Sequence, residues 1–375
     1  KRQTANTTGA SNTAVGHNSL RVNTTGAANV AIGNEALEEN TTANNNVAIG
    51  VHAMGANTTG ANNTAVGRQA LEANTTESGA TAVGANALKA NTTGTRNTAV
   101  GREALENNTT GDYNVAIGAY ALEDQTTGDN CVAIGHQALE ANNASDNTAV
   151  GYIAADAVTT GTMNSAIGSK SLSQVTTGER NTVVGYQAMR STGTNVANNV
   201  AIGVNTLYNT TGGSNTAVGD GALYTNTSGA QNTGSGRNAL FDNTTGNYNS
   251  AYGYGALENN TTASYNSGFG AHVFESLTTG QYNTAIGYKS LDANNDGSKN
   301  VALGAFALTT FEASSASDTH NVAIGYNALG ATTTGSWNVS IGGNSLDSNT
   351  TGQANVAIGY NATVSYTHLT LPTKA

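Results

Sequence analysis

The chain has 375 residues, of which only 10% are charged and 6% aromatic, and its formal net charge is −10. An acidic chain without a Lys/Arg cluster has no basic face with which to displace the counterions of a nucleic acid duplex, so no nucleic acid partner is expected. Cys131 is the single cysteine, which leaves neither an intrachain disulfide nor a cysteine metal cluster. No apolar run approaches the roughly 20 residues of a membrane-spanning helix, and the segment is expected to be soluble, without membrane insertion.

The chain opens on Lys1, and Asn6-Thr7-Thr8-Gly9 already reads as the closing turn of an earlier coil, so the native start is expected upstream. From Gly16 a glycine then recurs through Gly33, Gly50, Gly67, Gly84 and Gly101 to Gly342 and Gly359, 21 copies in all. Sixteen of the 20 gaps are 17 residues; the others are 16 (Gly135 to Gly151, Gly203 to Gly219), 18 (Gly185 to Gly203) and 21 (Gly304 to Gly325). A fixed period of about one supersecondary unit marks a solenoid, in which each unit buries its apolar side against its neighbours. The expected fold is all-β: a parallel β-roll of about 21 coils over residues 1–362, with a rod length on the order of 100 Å from strands stacked at about 4.8 Å.

With the recurrent glycine as slot five, one coil reads N-(T/V)-A-(V/I)-G-x-x-A-L-x-x-N-T-T-G-x-x, a pattern that fits two short strands and two turns. Slot two is Val, Thr or Ser (Val30, Thr64, Ser165), and slot four is Val, Ile or Leu in 18 of 21 copies. Alternating β-branched residues signal a strand with one buried face, which places slot four in the core opposite Leu20, Leu37, Leu71, Leu105 and Leu139 of slot nine. The small Ala of slot three then implies close packing of the opposite strand face on another surface. Asn at slot one, in 19 of 21 copies with Ala80 and Cys131 as exceptions, is expected to stack into a structural amide ladder. The N-T-T-G block supplies the turn that closes each coil.

Further along, slot ten is acidic in four successive coils, at Glu106, Glu123, Glu140 and Asp156. Such stacking puts like charges about 5 Å apart, to be relieved by Arg102 and Lys89, by a divalent cation, or by splaying into solvent. Three successive coils then carry Ser235, Tyr252 and Phe269 at slot four, with Gly234 and Gly268 beside them, which reads as local repacking or a binding spot. Asp292-Ala293-Asn294-Asn295-Asp296-Gly297 has the spacing of a calcium loop, but its twelfth position is Leu303 instead of Glu, and it replaces an N-T-T-G turn, so a plain turn is favoured. The long gap before Gly325 is expected to form a protruding loop between Thr309 and His320. After Ala362 the repeat stops. Val364-Ser365-Tyr366-Thr367-His368-Leu369 matches a translated transposon end of the kind used in sequencing libraries, and 363–375 is expected to be an unstructured tail.

Catalysis is not expected. No G-x-S-x-G, P-loop or dinucleotide fingerprint occurs, and His17, His52, His136, His272 and His320 fall in separate coils without H-x-H or H-x-x-x-H spacing, so no catalytic, cofactor or metal residues are assigned. Slots six and seven vary freely and carry His17, Arg68, Arg102, Tyr152, Tyr186, Tyr254, Tyr288, Tyr326 and Tyr360. Tyr288, Tyr326 and Tyr360 are the candidate binding residues, a spaced stripe suited to stacking on sugar rings.

The block Asn29-Val30-Ala31-Ile32-Gly33, repeated as Asn355-Val356-Ala357-Ile358-Gly359, resembles the head repeat of trimeric autotransporter adhesins, although that family's coil is shorter and lacks the extra N-T-T-G residues. The array is also similar to repeats of bacteriophage tail fibres that end in a chaperone domain. The resemblance implies a left-handed β-roll, a homotrimer, an extracellular or virion setting, and attachment to a cell-surface glycan or protein receptor. Independently, about five modest apolar slots per coil make a thin core that oligomerisation would support. Ice binding by threonine arrays is the alternative, disfavoured because adjacent threonines of a strand face opposite ways.

Overall fold

The computed structural model describes residues 6–191, 193, 196–313 and 318–363. Among these residues the regular structure consists of 21 parallel three-residue strands without a helix, one strand per coil, each occupying slots two to four. The chain divides into two compact units, Lys1–Ala201 and Ile202–Ala375, each a stack of these coils. In the first unit β2 (Val30–Ile32) pairs with β3 (Val47–Ile49) in the register Val30↔Val47, Ala31↔Ala48, Ile32↔Ile49. In the second, β16 (Ser267–Phe269) and β17 (Thr284–Ile286) pair by the same 17-residue offset. Irregular gaps do not break the register: Val132 pairs with Thr148, and Val301 with Val322.

The inward face of the strand is the reverse of the one expected. Ala31, Ala48 and Ala65 of slot three are fully buried, whereas Ile32 of slot four is 37% exposed. Asn at slot one decides the matter. Its amide must reach the turn carbonyl of its own coil, as Asn46 Nδ2 does to Gly60 O at 2.8 Å, and the two-residue period of a strand then turns slot three inward and slots two and four outward. In the common coil the core is therefore built from two alanines, one leucine and two asparagines, such as Ala31, Ala36, Leu37, Asn29 and Asn40.

The second expected strand is also absent. After the slot-five glycine the backbone bends left-handed at slots seven and nine, as at Glu35 (φ 58°) and Leu37 (φ 49°), so this stretch cannot extend. It is nonetheless laddered coil to coil, with Leu37 N donating to Ala53 O at 3.1 Å. Slot five requires glycine twice over. Gly33 has φ 141°, and a Cβ there would lie 2.3 Å from Gly50 O.

Buried asparagines replace much of the apolar packing. Along slot one, Asn46 N donates to Asn29 Oδ1 at 3.0 Å, and Asn63 N to Asn46 Oδ1 at 2.9 Å. Along slot twelve, Asn40 Nδ2 donates to Asn23 Oδ1 at 2.8 Å, and Asn57 Nδ2 to Asn40 Oδ1 at 3.1 Å. Satisfied amides of this kind can be buried without the cost of orphaned polar groups. Cys131 interrupts the first ladder. Burial pushes its thiol up to about 11, so it is held as a neutral side chain.

The long coil before Gly325 is anchored at both described flanks. Phe311 occupies slot twelve and is fully buried, while Thr319 N donates to Ser298 O at 3.0 Å. The four residues 314–317 of the expected loop, and 364–375 of the expected tail, lie outside the described residues.

Candidate binding surfaces

Tyr288, Tyr326 and Tyr360 all stand at slot six, the first side chain after the glycine bend, and are 45%, 59% and 76% exposed. They occupy every second coil, about 10 Å apart by strand spacing, with Ala305 and Gly343 at the intervening slot-six positions. The gaps between them are filled differently. Phe306, from slot seven, packs edge-on between Tyr288 (5.4 Å, 90°) and Tyr326 (5.8 Å, 82°). Tyr360 instead lies over Gly343, where a Cβ would sit 3.3 Å from its ring. Upstream, His272 continues the row between Tyr254 (5.0 Å) and Tyr288 (6.3 Å). Tyrosines 288, 326 and 360 thus belong to a longer zigzag of rings.

A second aromatic surface lies outside the slots from which binding residues are expected. Tyr248, Tyr265 and Tyr282, at slot seventeen, stack with centroids 4.9 Å apart and planes within 7°. Across the outer strand face, Tyr252 and Phe269 stack at 4.9 Å and 3°. These two slot-four residues are exposed, so they repack nothing in the core. The signal is legible as three tyrosines at the coil period, in a slot whose residue type is otherwise free. Ring stacking of this kind contributes about 0.5–1.5 kcal/mol per pair beyond area burial.

The acidic row is relieved unevenly. Lys89 reaches Glu106 at 3.7 Å, but Arg102 lies over the Tyr120 ring at 4.5 Å and does not serve the carboxylates. Burial first, then Asp124, Glu140, Glu103 and Glu106, push the Glu123 carboxyl up to about 7. Burial likewise raises Asp156 to about 6. Proton uptake therefore relieves part of the crowding. In the calcium-like segment, Asn294 is an inward rung bonded to Gly297, and Asp292 is held by Lys289 at 3.3 Å. Those side chains serve a turn and an ion pair.

No protein-family model matches the chain, and no curated protein sequence matches it. Among the described residues no helix is long and apolar enough to cross a membrane.

Proposed function

We propose that the array is a non-enzymatic, extracellular fibre segment that assembles as a homotrimer and carries attachment to a cell-surface glycan or protein receptor, as the shaft or head of a bacterial adhesin or phage tail fibre. The observation that carries this reading is the outer strand face. Val and Thr of slot two and Ile and Val of slot four point away from the core, leaving Ile117 and Ile134 exposed on successive coils of the first unit and Phe269 and Ile286 on successive coils of the second. A β-branched apolar strip repeated along a stack is a surface built to be covered. Three copies burying this strip would supply the apolar area that the alanine-rich interior lacks. The slot-six tyrosines lie beyond the glycine bend from that strip and are the receptor-facing candidates.

Ice binding is disfavoured by the threonines themselves. The first Thr of a closing turn is engaged internally, as Thr24 Oγ1 donates to Thr41 O at 3.0 Å and Thr58 Oγ1 to Thr75 O at 2.9 Å. Light scattering of the folded chain tests the assembly. Three chain masses are expected, and Ile134→Lys together with Ile286→Lys should give a folded monomer. A wild-type chain that is a stable folded monomer overturns the reading.

A further inference from the structure

The coil register brings together three side chains whose sequence spacing hides them. One nitrogen of His272 and one carboxylate oxygen each from Glu258 and Glu275 lie within 4.8 Å of one another. Glu258 and Glu275 are successive slot-ten residues, and His272 belongs to slot seven of the second coil. His272 Nδ1 is enclosed, makes no hydrogen bond, and lies 3.4 Å from Glu275 Oε2 without the alignment of one. A buried ring nitrogen left unpaired calls for a partner.

Two independent features shape the space around it. Asn238 Nδ2 donates to Glu258 Oε1 at 3.0 Å, which leaves Glu258 Oε2 free to face the imidazole. That oxygen and the ring sit over Gly255, where a Cβ would come 2.8 Å from Glu258 Oε2 and 3.2 Å from His272 Nδ1. The backbone does not require glycine there: Asn238 and Lys289 occupy the same slot with φ 57° and 54°, against 59° at Gly255. The absent side chain is what makes room. The ring itself is held edge-on by Tyr254 and Tyr288.

We propose that Glu258, His272 and Glu275 form a site for a divalent transition-metal ion of the zinc class, bound through His272 Nδ1 and one oxygen of each glutamate. Ligands about 2.1 Å from a tetrahedral ion stand about 3.4 Å apart, the observed separation of His272 Nδ1 and Glu275 Oε2. An imidazole with two carboxylates suits zinc or its first-row neighbours better than calcium, which takes oxygen alone. Asn238 acts as the outer partner that orients a ligating carboxylate. Lys289, at slot seven of the following coil, is engaged by Asp292 at 3.3 Å. Three protein ligands leave a fourth position for water or for a group on a bound molecule.

Titration of the tag-free full chain with Zn2+ in a calorimeter is expected to show one ion per chain. His272→Gln should weaken binding at least about tenfold. Gly255→Ala keeps all three ligands and fills the space over the glycine, and it should weaken binding similarly with circular dichroism unchanged. His52→Gln, which removes a histidine paired to a single glutamate at 3.2 Å, should leave binding as in wild type. Absence of saturable zinc binding by the wild-type chain, or undiminished binding by His272→Gln, overturns the proposal. Because these measurements do not depend on assembly or receptor, failure here leaves the attachment reading standing, and the reverse holds as well.

Discussion

Gly268 lies against Phe274: a Cβ at 268 would stand 3.1 Å from the Phe274 ring and 2.6 Å from Leu257 Cδ1. Most coils pair Ala at slot three with Leu at slot nine, and this coil exchanges volume between the two positions. Gly268→Ala should therefore destabilise by about 1–3 kcal/mol through overpacking. Phe274→Leu in the same chain should recover part of that loss, the contacts with Leu257 Cδ1 and with Val273 Cγ1 at 3.0 Å remaining. Chemical denaturation of the two single variants and the double variant measures the coupling, and additive effects would separate the two residues.

Ala80 leaves a missing rung in the slot-one ladder. Its own amide donates to Asn63 Oδ1 at 2.8 Å, but it offers no side-chain oxygen to the amide of Asn97 in the next coil. Ala80→Asn should add one buried hydrogen bond and stabilise by about 0.5–1.5 kcal/mol. Conversely Asn46→Ala, which strips the Asn63 amide of its partner and leaves the Gly60 carbonyl with Asn57 Nδ2 alone, should cost about 1–3 kcal/mol. Melting temperatures should move in opposite directions.

Stability should fall as pH rises through the acid range towards neutrality. The Glu123 carboxyl is raised from 4.5 to about 7 in the folded chain, and Asp156 from 3.8 to about 6. Between those values the folded chain holds protons that the unfolded chain has released, so raising the pH favours unfolding. The stabilising contribution is complete below the unfolded values and is lost by about pH 7. Glu123→Gln should flatten the fall in melting temperature across this window. An unchanged profile in that variant would place the pH dependence elsewhere.

Replacing Tyr288, Tyr326 and Tyr360 together by Ala should abolish binding to glycan or to cells. Their exposure means little core is lost, and stability should drop by no more than the edge contacts with Phe306 and His272 contribute, about 0.5–1.5 kcal/mol each. Binding measured on a glycan array alongside circular dichroism distinguishes the outcomes. If binding survives, the stacked Tyr248, Tyr265 and Tyr282 are the next residues to replace.

The period, the glycine bend and the asparagine ladder were legible because each depends on one residue type whose local geometry has few substitutes. The facing of the strand was not. Hydrophobicity favours Ile32 over Ala31 as the buried residue, yet the inward Asn29 amide binds Ala43 O at 2.8 Å and fixes the alternation against that preference. The second strand failed for a related reason: Ala36-Leu37 looks extended in composition, and nothing in the residue type announces a leucine at φ 49°. Glu258, His272 and Glu275 were hidden because motif spacings describe helices and short loops. Here the operative spacing is one coil, so residues 17 apart are neighbours.

The register across Val301 and Val322 is kept although their coil is four residues longer than the common one. Each coil consults only the coil before and the coil after, so a change confined to one turn has no distant correspondents to disturb. Near-identical neighbouring segments can also misalign during recombination, which adds or removes whole coils and creates no junction the fold has not already solved. The number of coils is then a heritable quantity that changes in whole steps, while the lengthened coil marks a place where new sequence can be carried without redesign of its support.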